Sequence, residues 1–253
     1  MGKPIRLLLT CEHGGNRVPR RYSRLFRGHE RLRANHRGYD LGALDLARRL
    51  SKALRCRLIA STTTRLLVDL NRSVGSPNLF SVATRNLDLK EKKQLLATCY
   101  HPYRSAVEAS VSAIVAEGDR VLHIGVHTFT PRLRGVKRRA GVGLLYDPSR
   151  PGEQEFCKSW QALLADEARG VAVRRNYPYR GTADGLPRWL RRTYPDSEYL
   201  GIELEVNQRL IAADAGVMRI AKHLISSLQR AVAGFSPEYD SRLRKPRGSE
   251  SGP

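Results

Sequence analysis

Apolar positions along the chain fall into short continuous runs that alternate with stretches of helical period. Ile5 to Thr10 is short, apolar and followed closely by the turn formers Gly14, Gly15 and Asn16, the pattern of a buried strand. From Asp40 the spacing of Leu41, Leu44, Ala47, Leu50 and Leu54 predicts a helix over 40–54, with Asp40 as its N-cap or first-turn acid. Residues 57–61 and 66–70 read as two short strands, and 73–78 as a loop. Apolar residues recur every three or four positions over 90–117, which predicts a long helix with a start or kink at His101-Pro102. Strands follow at 121–126 and 141–146 with a basic loop, 130–139, between them. A helix over 154–167, strands at 171–173 and 199–206, and an amphipathic helix over 218–232 complete the pattern. Such alternation predicts an α/β fold in three layers, an open sheet with helices on both faces. Residues 1–235 read as one domain, and 236–253, rich in Ser, Gly, Pro and charge, as a disordered tail.

Charge widens the range of partners. Lys and Arg number 45 against 24 Asp and Glu, a formal charge of +21, which favours anionic ligands and permits nucleic acid. The densest basic runs, 132–139 and 188–192, carry no nucleic-acid-binding signature, so that partner is not favoured. The four cysteines have neither zinc-ribbon spacing nor the density of a disulfide scaffold, and are expected to be reduced. Cys11 reads as a small buried residue rather than a nucleophile. No apolar run approaches the roughly 20 residues that cross a bilayer, and no signal-peptide pattern opens the chain, so a cytoplasmic location is expected.

Four motifs carry candidate chemistry, and in an open α/β sheet ligands bind beyond the carboxyl ends of the strands, where these motifs fall. Glu12-His13-Gly14-Gly15 places an acid and an imidazole at a glycine turn that lets backbone approach a ligand. Thr64-Arg65 and Val68-Asp69-Leu70-Asn71-Arg72 place an amide and two guanidiniums where they can clamp a carboxylate, while Asp69 can instead pin the loop by pairing with an arginine. Strand alternation puts His123, Gly125 and His127 on one side, with His127 at the crevice and His123 deeper. Glu203 and Glu205 share one side of an otherwise apolar strand. Buried acids there need partners or a role; a general base is one, and neutralisation by arginine is the expectation for Glu203.

Taken in order, these motifs, with Asn176-Tyr177-Pro178-Tyr179-Arg180-Gly181 between the third and fourth, resemble the N-formylglutamate amidohydrolase family over residues 5–215. The resemblance is strongest in Val68-Asp69-Leu70-Asn71-Arg72 and Glu203-Leu204-Glu205. More distantly the family is similar to zinc carboxypeptidases and aspartoacylases, which implies a mixed, mostly parallel central sheet of the phosphorylase/hydrolase-like kind. It implies a metal-dependent amidohydrolase acting on a small-molecule N-acyl amino acid. His13 and His127 match the two histidine ligands of a divalent metal, with zinc the expected ion. Three residues after His13, where those relatives carry a glutamate ligand, stands Asn16. Asp40 matches a recurrent acid of the family and is the expected third ligand, with Glu12 in reserve. By the same resemblance Glu205 activates water, Arg65 stabilises the oxyanion, and Asn71, Arg72 and Arg180 hold substrate carboxylates.

Overall fold

The computed structural model describes residues 3–235; the expected tail at 236–253 lies outside them. In chain order the strands are β1 (Ile5–Cys11), β2 (Arg57–Ala60), β3 (Arg120–Phe129), β4 (Arg132–Leu133), β5 (Val136–Lys137), β6 (Val142–Leu145), β7 (Val173–Arg175) and β8 (Tyr199–Asn207). The helices are α1 (Glu30–Arg33), α2 (Ala43–Leu54), α3 (Leu89–Leu95), α4 (His101–Ala116), α5 (Pro151–Glu167), α6 (Leu186–Leu190) and α7 (Asp214–Phe235).

Six strands form one sheet in the order β2-β1-β3-β8-β6-β7. The first four run parallel, β6 is antiparallel to β8, and β7 is parallel to β6, so the sheet is mixed and mostly parallel as expected. From β1 the chain leaves to one side for β2 and crosses back to the other for β3. The order therefore reverses at β1 and β3, the point of such sheets where a crevice opens beyond the strand ends.

Alternation along the strands sorts side chains into two buried sets. Leu7, Leu9 and Cys11 of β1, Leu122, Ile124 and Val126 of β3, and Leu200 to Val206 at every second position of β8 pack against α2, α5 and α7. Leu8, Val121 and Tyr199 point the other way, into a second cluster with α4, α6 and the 66–79 segment. No helix among the described residues is long and apolar enough to cross a membrane.

The structure corrects several expectations. Residues 66–70 are no strand: Leu67 N–H donates to Thr64 O and Arg72 N–H to Asp69 O, closing successive turns, while Leu66, Leu67, Val68 and Leu70 are buried beneath α4. A short apolar run signals burial, and period alone does not tell a buried turn from a strand. The 171–173 strand forms two residues later, as β7. The long helix is interrupted before Pro102 by a wider π turn at Leu96–Tyr100. Asp40 does not cap α2 with its side chain; left-handed Gly42 precedes that helix and the Asp40 carboxylate turns elsewhere.

Candidate active site

At the end of β1 the strand alternation continues one residue further, so Cys11 enters the core while Glu12 points to the opposite face. Cys11 is buried and burial pushes its thiol pKa well up, which suits a packing residue. His13 turns over the strand end, and its carbonyl accepts the Asp40 N–H at 2.9 Å, which sets Asp40 beside it. Gly15 permits close approach, but to the chain itself and not to a ligand: a Cβ there would lie 2.5 Å from Thr62 O. His127 lies two residues before the end of the long β3 and sits in register with Glu205 on β8, which pairs in turn with Gly143 on β6. At Gly143 a Cβ would strike the Tyr177 carbonyl, so glycine lets the 176–181 turn descend beside Glu205.

Around this point the imidazoles and carboxylates interlock. His127 Nδ1 donates to Asp40 Oδ2 at 2.9 Å, and His13 Nδ1 lies 3.4 Å from the same oxygen. Each ring is backed by a second acid: His13 Nε2 donates to Asp69 Oδ1 at 2.7 Å, and Glu12 Oε2 lies 3.1 Å from His127 Nε2, outside hydrogen-bond geometry. Glu12 is itself fixed by the Tyr103 hydroxyl at 2.9 Å. Arg65 bridges the two acids, with Nη2 2.7 Å from Asp69 Oδ2 and Nη1 3.4 Å from Asp40 Oδ1.

Burial alone would raise these carboxyls, but for Glu12 the adjacent His127 holds the pKa down at about 2. For Asp69 and Asp40 the same burial is outweighed, by Arg65 and His13 at Asp69 and by His13 and His127 at Asp40. Glu205 lacks such a partner: burial, with Asp40 and Glu203 nearby, pushes it up to about 8. His123, below the site, is held at about 4 by burial and bonds Thr10 Oγ1 and the Tyr199 hydroxyl.

His13, Asp40 and His127 offer ligand atoms that all lie within 4.8 Å of one another. The 2.9 and 3.4 Å separations bracket the edge of about 3.3 Å expected for a tetrahedral ion with bonds of about 2.0–2.1 Å. His13 Nδ1 and Glu205 Oε2 are buried with no hydrogen-bond partner among the described residues, a costly state that a bound ligand relieves. In and directly behind the cavity six acids (Glu12, Asp40, Asp69, Asp184, Glu203, Glu205) face three arginines (Arg65, Arg72, Arg180), and with Glu205 protonated an excess of two negative charges remains before the histidines are counted. The residues fit a divalent cation.

A cavity of about 230 Å³ opens above this cluster and is lined by every expected site residue: His13, Asp40, His127, Glu205, Arg65, Asn71, Arg72 and Arg180. The alternatives at the third ligand position fall elsewhere. Glu12 backs His127, and Asn16 does not line the cavity. Asp69 pairs with Arg65, as the loop-pinning reading expects, and also orients His13. Asn71 is largely committed within the protein, accepting from Leu186 N–H at 2.6 Å and donating to Glu203 at 2.8 Å. Glu203 thus takes its hydrogen bond from an amide, while the positive charge of Arg191 acts on it from a distance. Arg72 is held by the Asp184 carbonyl, and exposed Arg180 stands at the rim. Sequence reasoning missed Tyr103 and Asp184, which no strand-end position or motif marks, and assigned no role to His36, four residues before Asp40, or to Tyr179 within the Asn176–Gly181 motif; packing brings them in.

Clustered imidazoles and buried carboxylates at the strand ends of a mixed α/β sheet, facing an arginine-lined cavity, define a hydrolytic enzyme. The family model of N-formylglutamate amidohydrolase matches residues 5–212, and the chain belongs to that family, whose members act on an amide bond. Among solved structures it is similar to the gene product Atu2144 from Agrobacterium tumefaciens, with 28% identity over 90% of this chain and 91% of that one and a TM-score of 0.80. It is also similar to the N-formylglutamate amidohydrolase from Ralstonia eutropha JMP134, with 19% identity over 96% of each chain and a TM-score of 0.66, a likeness of fold. No curated protein matches significantly.

Proposed function

We propose that the protein is a zinc-dependent amidohydrolase that releases formate, or another small acid, from an N-acylated acidic amino acid. The observation that carries this reading is Glu205, a buried carboxylate with an unpaired oxygen beside the His13–Asp40–His127 cluster, facing a cavity with arginines on its other wall. A divalent ion held by these three residues would supply Lewis acidity, lower the pKa of water and favour the ionised form of the Glu205 carboxyl, which without it is pushed up to about 8. Glu205 accepts the proton of the attacking water and later returns it to the leaving amine nitrogen. Asp69 keeps the His13 ring turned toward the cluster, and Glu12 does the same for His127.

Water adds to the amide carbon, the C–N bond breaks, and the products are a carboxylic acid and a free amino acid. Arg65, tied to Asp40 and Asp69, presents its positive charge where the oxyanion develops. Arg72 and Arg180 bind the substrate's carboxylates, and Asn71, with one N–H left, supports the clamp. The test is metal analysis of the purified protein combined with N-formyl-L-glutamate, N-acetyl-L-glutamate and N-formyl-L-leucine as substrates. Stoichiometric zinc and a preference for the acidic formyl substrate are expected, with activity lost on chelation and restored by zinc. Full turnover after exhaustive chelation would sink the assignment.

A further inference from the structure

A second cavity, of about 270 Å³, lies between α4 and α6 on the far side of the Leu70–Ser73 loop. One wall is Arg104, whose side chain is buried among apolar groups although it carries a fixed positive charge. Its guanidinium stacks 4.4 Å from the centre of the Trp189 ring and 5.4 Å from that of Tyr100. Nη1 donates to the Leu70 carbonyl at 3.2 Å, while Nη2 has no hydrogen-bond partner among the described residues. Its charge is balanced only from a distance, by Glu12 and Asp184 among others. A buried cation with an unused donor is an expensive arrangement unless an anion completes it.

The rest of the cavity indicates what kind of anion. Arg192 adds a second, exposed guanidinium, and Trp189 and the exposed Val74 form an apolar wall. Glu108, one helical turn beyond Arg104, also lines the cavity and opposes a dianion more strongly than a monoanion. We propose that this cavity binds a small carboxylate with a short apolar stem, its oxygens on Arg104 and Arg192 and its stem against Trp189 and Val74. The site is separate from the catalytic cavity and does not depend on the function proposed for it.

The test titrates the full chain with sodium butyrate while following tryptophan emission. The only other tryptophan, Trp160, is fully buried among α5 and α7, so W189F removes the signal. A saturable change is expected, with acetate binding more weakly than butyrate. R104Q should weaken butyrate by at least about tenfold, the loss typical of a charged hydrogen bond. R180A, at the rim of the other cavity, should leave the titration unchanged. The absence of a saturable signal, equal affinity in folded R104Q, or phosphate binding with butyrate silent overturns the proposal. Where R104Q does not fold, R192E on the exposed side replaces it, and unchanged affinity there overturns the proposal equally.

Discussion

Leu9, Ile124 and Ile202 lie side by side across β1, β3 and β8 on one face of the sheet; one residue further along each strand, Thr10, Gly125 and Glu203 lie side by side on the other. The first row belongs to a core sealed by α2, α5 and α7. The second begins a polar floor that continues to Glu12, His127 and Glu205. The same strands thus carry a stability face and a chemistry face, separated by one step of the backbone pleat. Gly125 shows how tight the second face is: a Cβ there would come 3.4 Å from His127 Nε2 and 3.6 Å from Thr10 Oγ1.

Substitutions on the two faces should therefore fail in different ways. The largest effect is expected from Glu205→Gln, which keeps shape and removes the proton acceptor: kcat should fall on the order of 10²- to 10⁴-fold with metal content and thermal stability retained. A rate near that of the wild type would exclude Glu205 as the general base. On the opposite face Ile124→Ala should cost about 2–5 kcal/mol in urea unfolding, with specific activity per folded molecule unchanged within a few-fold. If Ile124→Ala abolished catalysis while stability held, the division between faces would be wrong.

Between these stands His123, on the chemistry face but beneath the cluster. Burial depresses its pKa to about 4, below an unfolded value of about 6.5, so between those limits the unfolded chain binds the proton that the folded one refuses. Its contribution is present above about pH 6.5 and is lost as pH falls toward 4, by up to about 3 kcal/mol at roughly 1.4 kcal/mol per pKa unit. Urea midpoints measured across that range should slope downward with acid in the wild type and more shallowly in His123→Gln; parallel slopes would refute the assignment. The smallest effect is expected from Asp69→Asn, which weakens the support of His13: zinc affinity should drop about 10- to 100-fold, read by competition with a chelator. Unchanged affinity would mean that Asp69 serves only the Arg65 loop.

Much of the fold was legible in local pattern. The period of two in β3 and β8 assigns His127, Glu203 and Glu205 to one side, and the period of the α2 segment finds buried Ala47, Leu50 and Leu54, while Ala43 and Leu46 are buried in place of the expected Leu41 and Leu44, which are only half-buried. Local pattern failed at 66–70, where buried apolar residues follow turns, and at Asp40, whose place before α2 resembles that of a cap. In both cases a partner distant in sequence decides: α4 covers the first, and His127, 87 positions away, takes the second.

The sequence by itself determined which side chains project from which face and that imidazoles, acids and arginines collect at strand ends, because backbone period fixes side-chain direction locally. It also held the family motifs that name the chemistry. Tertiary structure alone brought Asp40 within 3.4 and 2.9 Å of the His13 and His127 rings, gave Glu12 and Asp69 their places behind the two rings, and tied Asn71 to Glu203 and α6. Strand order, register and loop packing are nonlocal, and distances of about 3 Å between groups far apart in the chain exist only once those are set.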